Sequence, residues 1–554
     1  MERIWLDHYP PGVPADITDQ ANSYSSLIAL FEESCTQYAE KIAYISMGAT
    51  MTYGQLDERS RHFAAWLLSI GIKKGDRVAL MMPNLLQYPV CLFGTLRAGA
   101  VVVNTNPLYT ATELEHQLSD SAAETIIIAE NFAATLQQAL PKTAIKHIVV
   151  TSLGDMLGTV KGAITDLVVR HVKKLVPAWT LPGTVTLKQA LSAGKQAQYT
   201  PVQLDHTDMA FLQYTGGTTG VAKGAILTHG NIVSNVCQAT AWVKPYMREG
   251  EECIVTALPL YHIFALTANC LTFMKLGAQN LLIVNARDIP DLVKSLGKVK
   301  FTAITGVNTL FNALLNNPDF PKLDFSSLRI TLGGGMAVQE VIAQRWLKVT
   351  GKPIAQAYGL TETSPAVTIN PFDKVTFNGS IGLPVPSTEI AIRDNDGRDL
   401  PQGESGEICV RGPQVTPGYW NRPDETKKTF DPDGFLHTGD IGYVNAEGYI
   451  FIQDRKKDMI LVSGFNVYPN EVEAVAMQHP DVLEAAAIGV PDEHSGEVVK
   501  LFVIRKNSSL TEEALIKHCR SMLTGYKSPK SVEFRDELPR TNVGKILRRK
   551  LKES

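Results

Sequence analysis

The chain has 554 residues, 44% hydrophobic and 20% charged, with a formal net charge of −3. This is globular material, long enough for a large core and more than one domain, and its near-neutral balance gives no general pull toward nucleic acid. The seven cysteines form no CxxC pair, and no apolar run approaches the roughly 18 residues of a spanning helix, so a reducing, cytoplasmic setting is expected.

The first twenty residues are acidic and broken by proline, without the apolar centre of a signal peptide. Further on, "DRVALMM" (Asp76–Met82) reads as a buried strand, "LLQYPVCLFGTLRAGA" as a helix and "VVVNTN" (Val101–Asn106) as the next strand, with "TIIIAE" and "HIVVTS" continuing the pattern. Short apolar runs alternating with helical segments imply parallel sheets with helices on their faces. In "AITDLVVRHVKKLVPAW" (Ala163–Trp179), Ile164, Leu167, Val168, Val172, Leu175 and Val176 share one helical stripe, with Arg170, Lys173 and Lys174 elsewhere. That pattern suits a basic amphipathic helix on the inner face of a membrane; the ordinary alternative is a helix packed on its own domain.

The stretch "FLQYTGGTTGVAKGAILTHGN" (Phe211–Asn231) joins a strand-like run to the helix-like "THGNIVSNVCQATAW". A loop between strand and helix can turn backbone N–H groups and hydroxyls toward anionic oxygens, and Lys223 adds positive charge. It is not a Walker A loop, because Lys223 lies between Ala222 and Gly224; a plain glycine-rich turn is the bland alternative. His262 in "LPLYHIFAL" is either a core histidine or a substrate contact. The charged cluster "DRKKD" (Asp454–Asp458) precedes a smaller α+β pattern of two helices, "PNEVEAVAMQHP" and "TEEALIKHCRSML", and two strands, "EAAAIGV" and "VVKLFVIRK". A large domain over residues 1–454 and a small one over 455–554 are expected, hinged near 454–458.

"YTGGTTGVAKGA" resembles the phosphate loop of the adenylate-forming superfamily, which includes acyl-CoA synthetases. "LPLYHIFAL", "GGG" (Gly333–Gly335), "YGLTET" (Tyr358–Thr363), "GFLHTGDIG" (Gly434–Gly442), "DRKKDMILVSGFNVYPNEVE" (Asp454–Glu473) and "PRTNVGKILRR" (Pro539–Arg549) follow in that superfamily's order. The likeness spans nearly the whole chain and is greatest to bacterial long-chain fatty-acid–CoA ligases, although Phe435 stands where that group generally has tryptophan. It implies an α/β fold. The large N-terminal domain would have mixed and parallel sheets flanked by helices plus a β-barrel-like subdomain, and the small C-terminal α+β domain would be mobile. It implies ATP, Mg²⁺ and CoA as cofactors and co-substrates, and activation of a fatty acid through acyl-AMP. A medium-chain or aryl acid–CoA ligase, or a non-catalytic lipid-binding membrane scaffold, is the alternative, and a homodimer is left open.

By the same resemblance Thr215, Gly216, Gly217, Thr218, Thr219, Gly220 and Lys223 would hold the β- and γ-phosphates. Tyr358, with Gly334 and Gly359 nearby, would lie against adenine, Thr361 would touch phosphate, and Glu362 with Thr218 would hold Mg²⁺. Asp440 would accept both ribose hydroxyls, since an ionised carboxylate offers two acceptor oxygens to a vicinal diol. Arg455 would be a second nucleotide contact. Lys545 would stabilise charge growing on the α-phosphate; no proton moves, so its pKa need not be shifted. Lys457 would be the pivot, and Ser463, Gly464 and Phe465 would line the pantetheine path. No acidic residue lies between Glu252 and Asp288, where an amino-acid-activating relative would need a counter-charge, so the acid is expected to have an uncharged tail. "GVNTLFNALL" (Gly306–Leu315) and the "GGGM" segment are expected to wall its channel.

Overall fold

The computed structural model describes residues 3–215, 222–374, 376–541 and 544–553. Among them, four sheets organise the chain. The first has seven strands in the spatial order Thr184–Thr186, His147–Thr151, Thr125–Ala129, Arg77–Met81, Val101–Asn104, Met209–Thr215, Lys223–Thr228. All neighbours are parallel except the last pair. Its central strands are β-branched and fully buried, as expected where helices cover both faces. The second sheet has nine strands; its centre is parallel and both edges are antiparallel.

The subdomain expected to resemble a barrel takes the form of a four-stranded antiparallel sheet, Glu389–Arg393, Gly406–Arg411, Leu436–Val444 and Ile450–Arg455. Ile390, Ile392, Ile408 and Val410 share one core with Ile254, Ile330 and Leu332 of the nine-stranded sheet. The last sheet, of five strands between Ile460 and Phe534, has its own core around Val472, Leu501 and Leu515. Its helices Pro469–Ala476 and Glu512–Met522 match the sequence reading, proline sitting at the first turn of the former.

Two expectations change. The glycine–threonine loop does not run from strand to helix. Lys223–Thr228 is a strand paired antiparallel with Met209–Thr215, so a strand rather than a helix follows the stretch. The helix begins only at His229, capped by Thr228 through a reciprocal bond pair with Asn231. Residues 163–179 are not one helix either. An α-helix over Thr159–Leu167 continues as a π-helical turn through Val172, and Lys174 then takes a left-handed backbone conformation.

Candidate active site

The C-terminal ends of the parallel strands carry polar residues that hold the next motif. Asn84, just beyond Arg77–Met81, donates to the carbonyls of Thr256 and Leu258 at 3.0 and 2.9 Å and accepts from Leu260 N–H. Tyr88 O–H donates to Asn104, Asn104 donates to Gln213 at 3.0 Å, and Gln213 donates to the Tyr261 carbonyl at 2.6 Å. These buried bonds tie "LPLY" to the strand that enters the glycine–threonine stretch and so set the position of His262.

His262 caps the short helix that follows, its Nδ1 accepting from Phe264 N–H at 3.4 Å. Burial, and then the nearby Lys545 ammonium, push its pKa down to about 3. The ring is therefore neutral at physiological pH, and with Nδ1 accepting, the proton resides on Nε2. His262 thus lies within electrostatic range of Lys545.

Lys545 lies with its Cε 3.6 Å from the point where a Cβ on Gly335 would stand. The adjacent Gly544 abuts Thr309 and Val307 so closely that a Cβ there would come within 2.9 Å of the threonine hydroxyl. The loop carrying the lysine is thus docked on the large domain. Within "GVNTLFNALL", Val307 and Thr309 meet that loop, and Val307 also belongs to the main core with Leu310, Phe311 and Leu314. Burial, then repulsion from Arg455, lower Lys545 to about 8, against opposing pulls from Asp440 and Glu362.

Tyr358 and Asp440 meet across the same space: the phenol donates to Asp440 Oδ2 at 2.6 Å, and Arg455 Nε stands 3.3 Å from Oδ1. Burial raises the Asp440 carboxyl pKa, and Arg455 opposes the shift. Gly359 has a plain structural reason to be glycine, since a Cβ would fall 1.9 Å from the Pro365 carbonyl oxygen. Gly334 is needed for the close approach of Phe264, at 3.0 Å from the same construction.

Thr361 and Glu362 occupy a single 3₁₀ turn after Tyr358. That turn is held by Asn235, which exchanges two bonds with Ala366, and by Thr267, whose hydroxyl donates to Ser364. Glu362 Oε1 accepts from Tyr419 O–H at 2.6 Å, and among the described residues Oε2 has no partner. Thr215 pairs with Lys223 at the end of their strand pair, and Lys223 forms an ion pair with Glu425 while lying 5.6 Å from the centre of the Tyr419 ring. Gly216, Gly217, Thr218, Thr219 and Gly220 fall outside the described residues.

Ser463, Gly464 and Phe465 do not join this group. Ser463 and Gly464 both adopt positive φ, Ser463 N–H bonds Ser495, and the Phe465 ring, 57% exposed, stacks on Tyr526 at 5.0 Å within the small domain. Behind Lys545, Arg548 is buried against Glu473, donating at 2.8 Å, and lies 3.6 Å from Asp458; Asp454 accepts from Asn470 N–H. This links the lysine loop to residues 454–458. The sequence reading missed Asn84, Gln213, Tyr419, Glu425 and Arg548. All five act through partners far along the chain, and Gln213 and Arg548 stood unremarked inside quoted motifs.

The model for AMP-binding enzymes matches residues 31–420, and that for the AMP-binding enzyme C-terminal domain matches residues 471–545. The chain belongs to the AMP-binding enzyme family. Among family members it is 58% identical to the long-chain-fatty-acid–CoA ligase of Escherichia coli O6:H1, covering 100% of this chain and 98% of the relative. It is 52% identical to the ligase of the same name from Haemophilus influenzae over the same shares of the two chains. The anthranilate CoA ligase AuaEII, solved with anthranoyl-AMP, superposes with a TM-score of 0.85 at 26% identity, covering 96% of this chain and 97% of that one. The family's two matched regions bracket the charged turn at 454–458, with Lys545 ending the second.

Proposed function

We propose that this enzyme is a long-chain fatty-acid–CoA ligase of the AMP-forming type. One carboxylate oxygen of the fatty acid attacks the α-phosphorus of ATP. The bond to the β-phosphate oxygen breaks, giving acyl-AMP and pyrophosphate. The thiol sulfur of CoA, losing its proton, then attacks the acyl carbon and expels AMP. The seat of Lys545, an ammonium in a poorly hydrated slot between His262, Asp440 and Glu362, carries the reading. A fixed cation there meets the charge that grows as the carboxylate attacks, and with little water to displace it acts on the transition state more than on the ground state.

The other residues take roles around it. Thr215 and Lys223, with residues 216–220, hold the departing pyrophosphate; Tyr358 lies against adenine, Asp440 accepts the ribose hydroxyls and Arg455 touches the nucleotide. Neutral His262 offers its Nε2–H to the carboxylate oxygen. A single carboxylate with one oxygen unpartnered among the described residues suits Mg²⁺, a hard cation that takes most of its other ligands from phosphate and water. Glu362 and Thr218 would hold it, and once bound it screens the phosphate charges. For the second half-reaction the small domain turns about 454–458, with Lys457 as pivot, withdrawing Lys545 and bringing Ser463–Phe465 to the pantetheine.

The pocket's charge supports an acid with an apolar tail. Glu252 is buried against Arg329 and Asp288 caps a helix, so neither acid flanking the 253–287 stretch is free to pair with an ammonium. Each methylene buried adds about 0.8 kcal/mol. The acid's source is read from the helix at 159–172, which packs inward through Gly162, Val169 and Asp166, the last bonded to Ser152 and Gly154. Its outward face holds Val160, Ile164, Leu167 and Val172, the first 72% and the last 68% exposed, with Leu175 and Met47 beside it. Arg170 pairs with buried Glu130, leaving Lys173, Lys174 and His171 at the rim. An outward apolar stripe with a basic rim suits an anionic bilayer surface from which fatty acid is collected. No helix among the described residues is long and apolar enough to cross a membrane. Pyrophosphate release across aryl, medium-chain and long-chain acids tests the assignment: the longest acids should give the highest kcat/KM, and a preference for benzoates or octanoate would overturn it.

A further inference from the structure

The segment Thr416–Glu425 binds two parts of the site to each other. Along its backbone it lies on the strand Lys223–Thr228: Ile226 N–H donates to the Gly418 carbonyl at 3.0 Å, Trp420 N–H to that of Gly224 at 2.8 Å, and Ala225 bridges to Tyr419. At its start, Thr416 N–H donates to the Glu362 carbonyl at 2.7 Å while its hydroxyl donates to Ile226. On the far side Asp120 fastens it, accepting from Arg422 at 2.7 Å and, through its backbone carbonyl, from Trp420 Nε1 at 3.0 Å. The same Asp120 carboxylate accepts at 2.7 Å from Tyr214, the residue before Thr215. The side chain at the middle of this brace, Tyr419, donates to Glu362 Oε1 and presents its ring to the Lys223 ammonium.

We propose that Tyr419 is a positioning residue for adenylation: its hydroxyl occupies one oxygen of Glu362 and so aims the other at the cation that accompanies the triphosphate. This rests on the reading of Glu362 as the metal-binding carboxylate. A free glutamate samples many rotamers, and ordering it on binding costs affinity. A short hydrogen bond to the carboxylate, on a ring held by the brace on both sides, sets the rotamer before the ligand arrives. Tyr419 touches neither nucleotide nor acid in this scheme. Its effect appears only with ligands that bring the cation, because AMP lacks the β- and γ-phosphates.

Calorimetric titration of the full-length enzyme with Mg·ATP, with ATP in EDTA and with AMP tests this, using Tyr419→Phe, Glu362→Gln and the double variant. Tyr419→Phe keeps the ring and removes only the donor. It should weaken Mg·ATP about tenfold, the order expected for one hydrogen bond to a charged group, and raise the Mg²⁺ concentration for half-saturation similarly. AMP and metal-free ATP should bind as to the parent, which also reports that the variant is folded. In the Glu362→Gln background the second substitution should add little. Equal weakening of AMP and Mg·ATP, full additivity of the two substitutions, or an unchanged Mg²⁺ requirement in Tyr419→Phe would each overturn the proposal. If Glu362→Gln itself leaves Mg·ATP binding and the Mg²⁺ requirement unchanged, the metal reading of Glu362 fails, and the inference falls with it.

Discussion

Replacing Lys545 by alanine should separate the two half-reactions. The lysine pKa stands at about 8 against a usual 10.5, so its surroundings disfavour the ammonium by about 3 kcal/mol before substrate arrives. The causes are lost hydration and Arg455, so the slot is waiting for an anion. The α-phosphate supplies one, and its charge rises further in the transition state. Removing one preorganised stabiliser of that kind costs about 10²–10³ in rate. Lys545→Ala should therefore slow acyl-AMP formation by that factor, measured as acid-dependent ATP–pyrophosphate exchange. Thioester formation from supplied acyl-AMP should change by less than about threefold. The pH profile adds an internal check. The free enzyme carries the ammonium below about 8 and loses it above, so kcat/KM for ATP should fall as pH rises through 8. His262, at about 3, stays neutral throughout and contributes no inflection. In Lys545→Ala that alkaline limb should vanish. Equal losses in both half-reactions, or an unchanged alkaline limb in the variant, would refute the division of labour.

Other substitutions probe separate parts of the molecule. Gly359→Ala would place a methyl 1.9 Å from a backbone oxygen that cannot yield, so the midpoint of chemical denaturation should drop by the equivalent of about 3 kcal/mol or more; an unchanged midpoint would contradict the packing. Gly464→Val, at φ +84° with open space around it, should leave adenylation near the parent rate and slow transfer to CoA at least tenfold, read by single-turnover assays of each step. Replacing Leu167 and Val172 together with glutamate should abolish sedimentation with phosphatidylglycerol vesicles and slow turnover of vesicle-borne oleate, while activity on detergent-solubilised oleate holds. A parent dimer that the double variant dissolves would mark the stripe as a protein interface instead.

Much of this architecture was legible in local pattern. The strands within Asp76–Met82, Val101–Asn106 and the "TIIIAE" run, and the two helices of the small domain, follow from periodicity and end signals that need no distant partner. The residues now grouped about Lys545, namely His262, Tyr358, Glu362, Asp440 and Arg455, were named because their motifs resemble those of the adenylate-forming superfamily, not from residue type alone. The return strand Lys223–Thr228 escaped notice because six residues running directly into a capped helix carry no turn signal of their own. The stripe at 163–176 was visible as a pattern, but which face turned outward was not. Gly162 and Asp166 decided it, by close approach to Gly154 and by hydrogen bonds to the adjoining loop.

Sequence by itself determined which chemical groups the protein has and the secondary structure that local sterics and periodicity impose. Tertiary structure alone decided how those groups are conditioned. Tyr419 and Glu362 lie 57 positions apart, and Lys223 and Glu425 lie 202 apart. The lowered pKa of Lys545 exists only where two domains exclude water around it. Hydrogen-bond partners and local hydration depend on distance in space, and a chain's order specifies that distance only after the whole of it has packed.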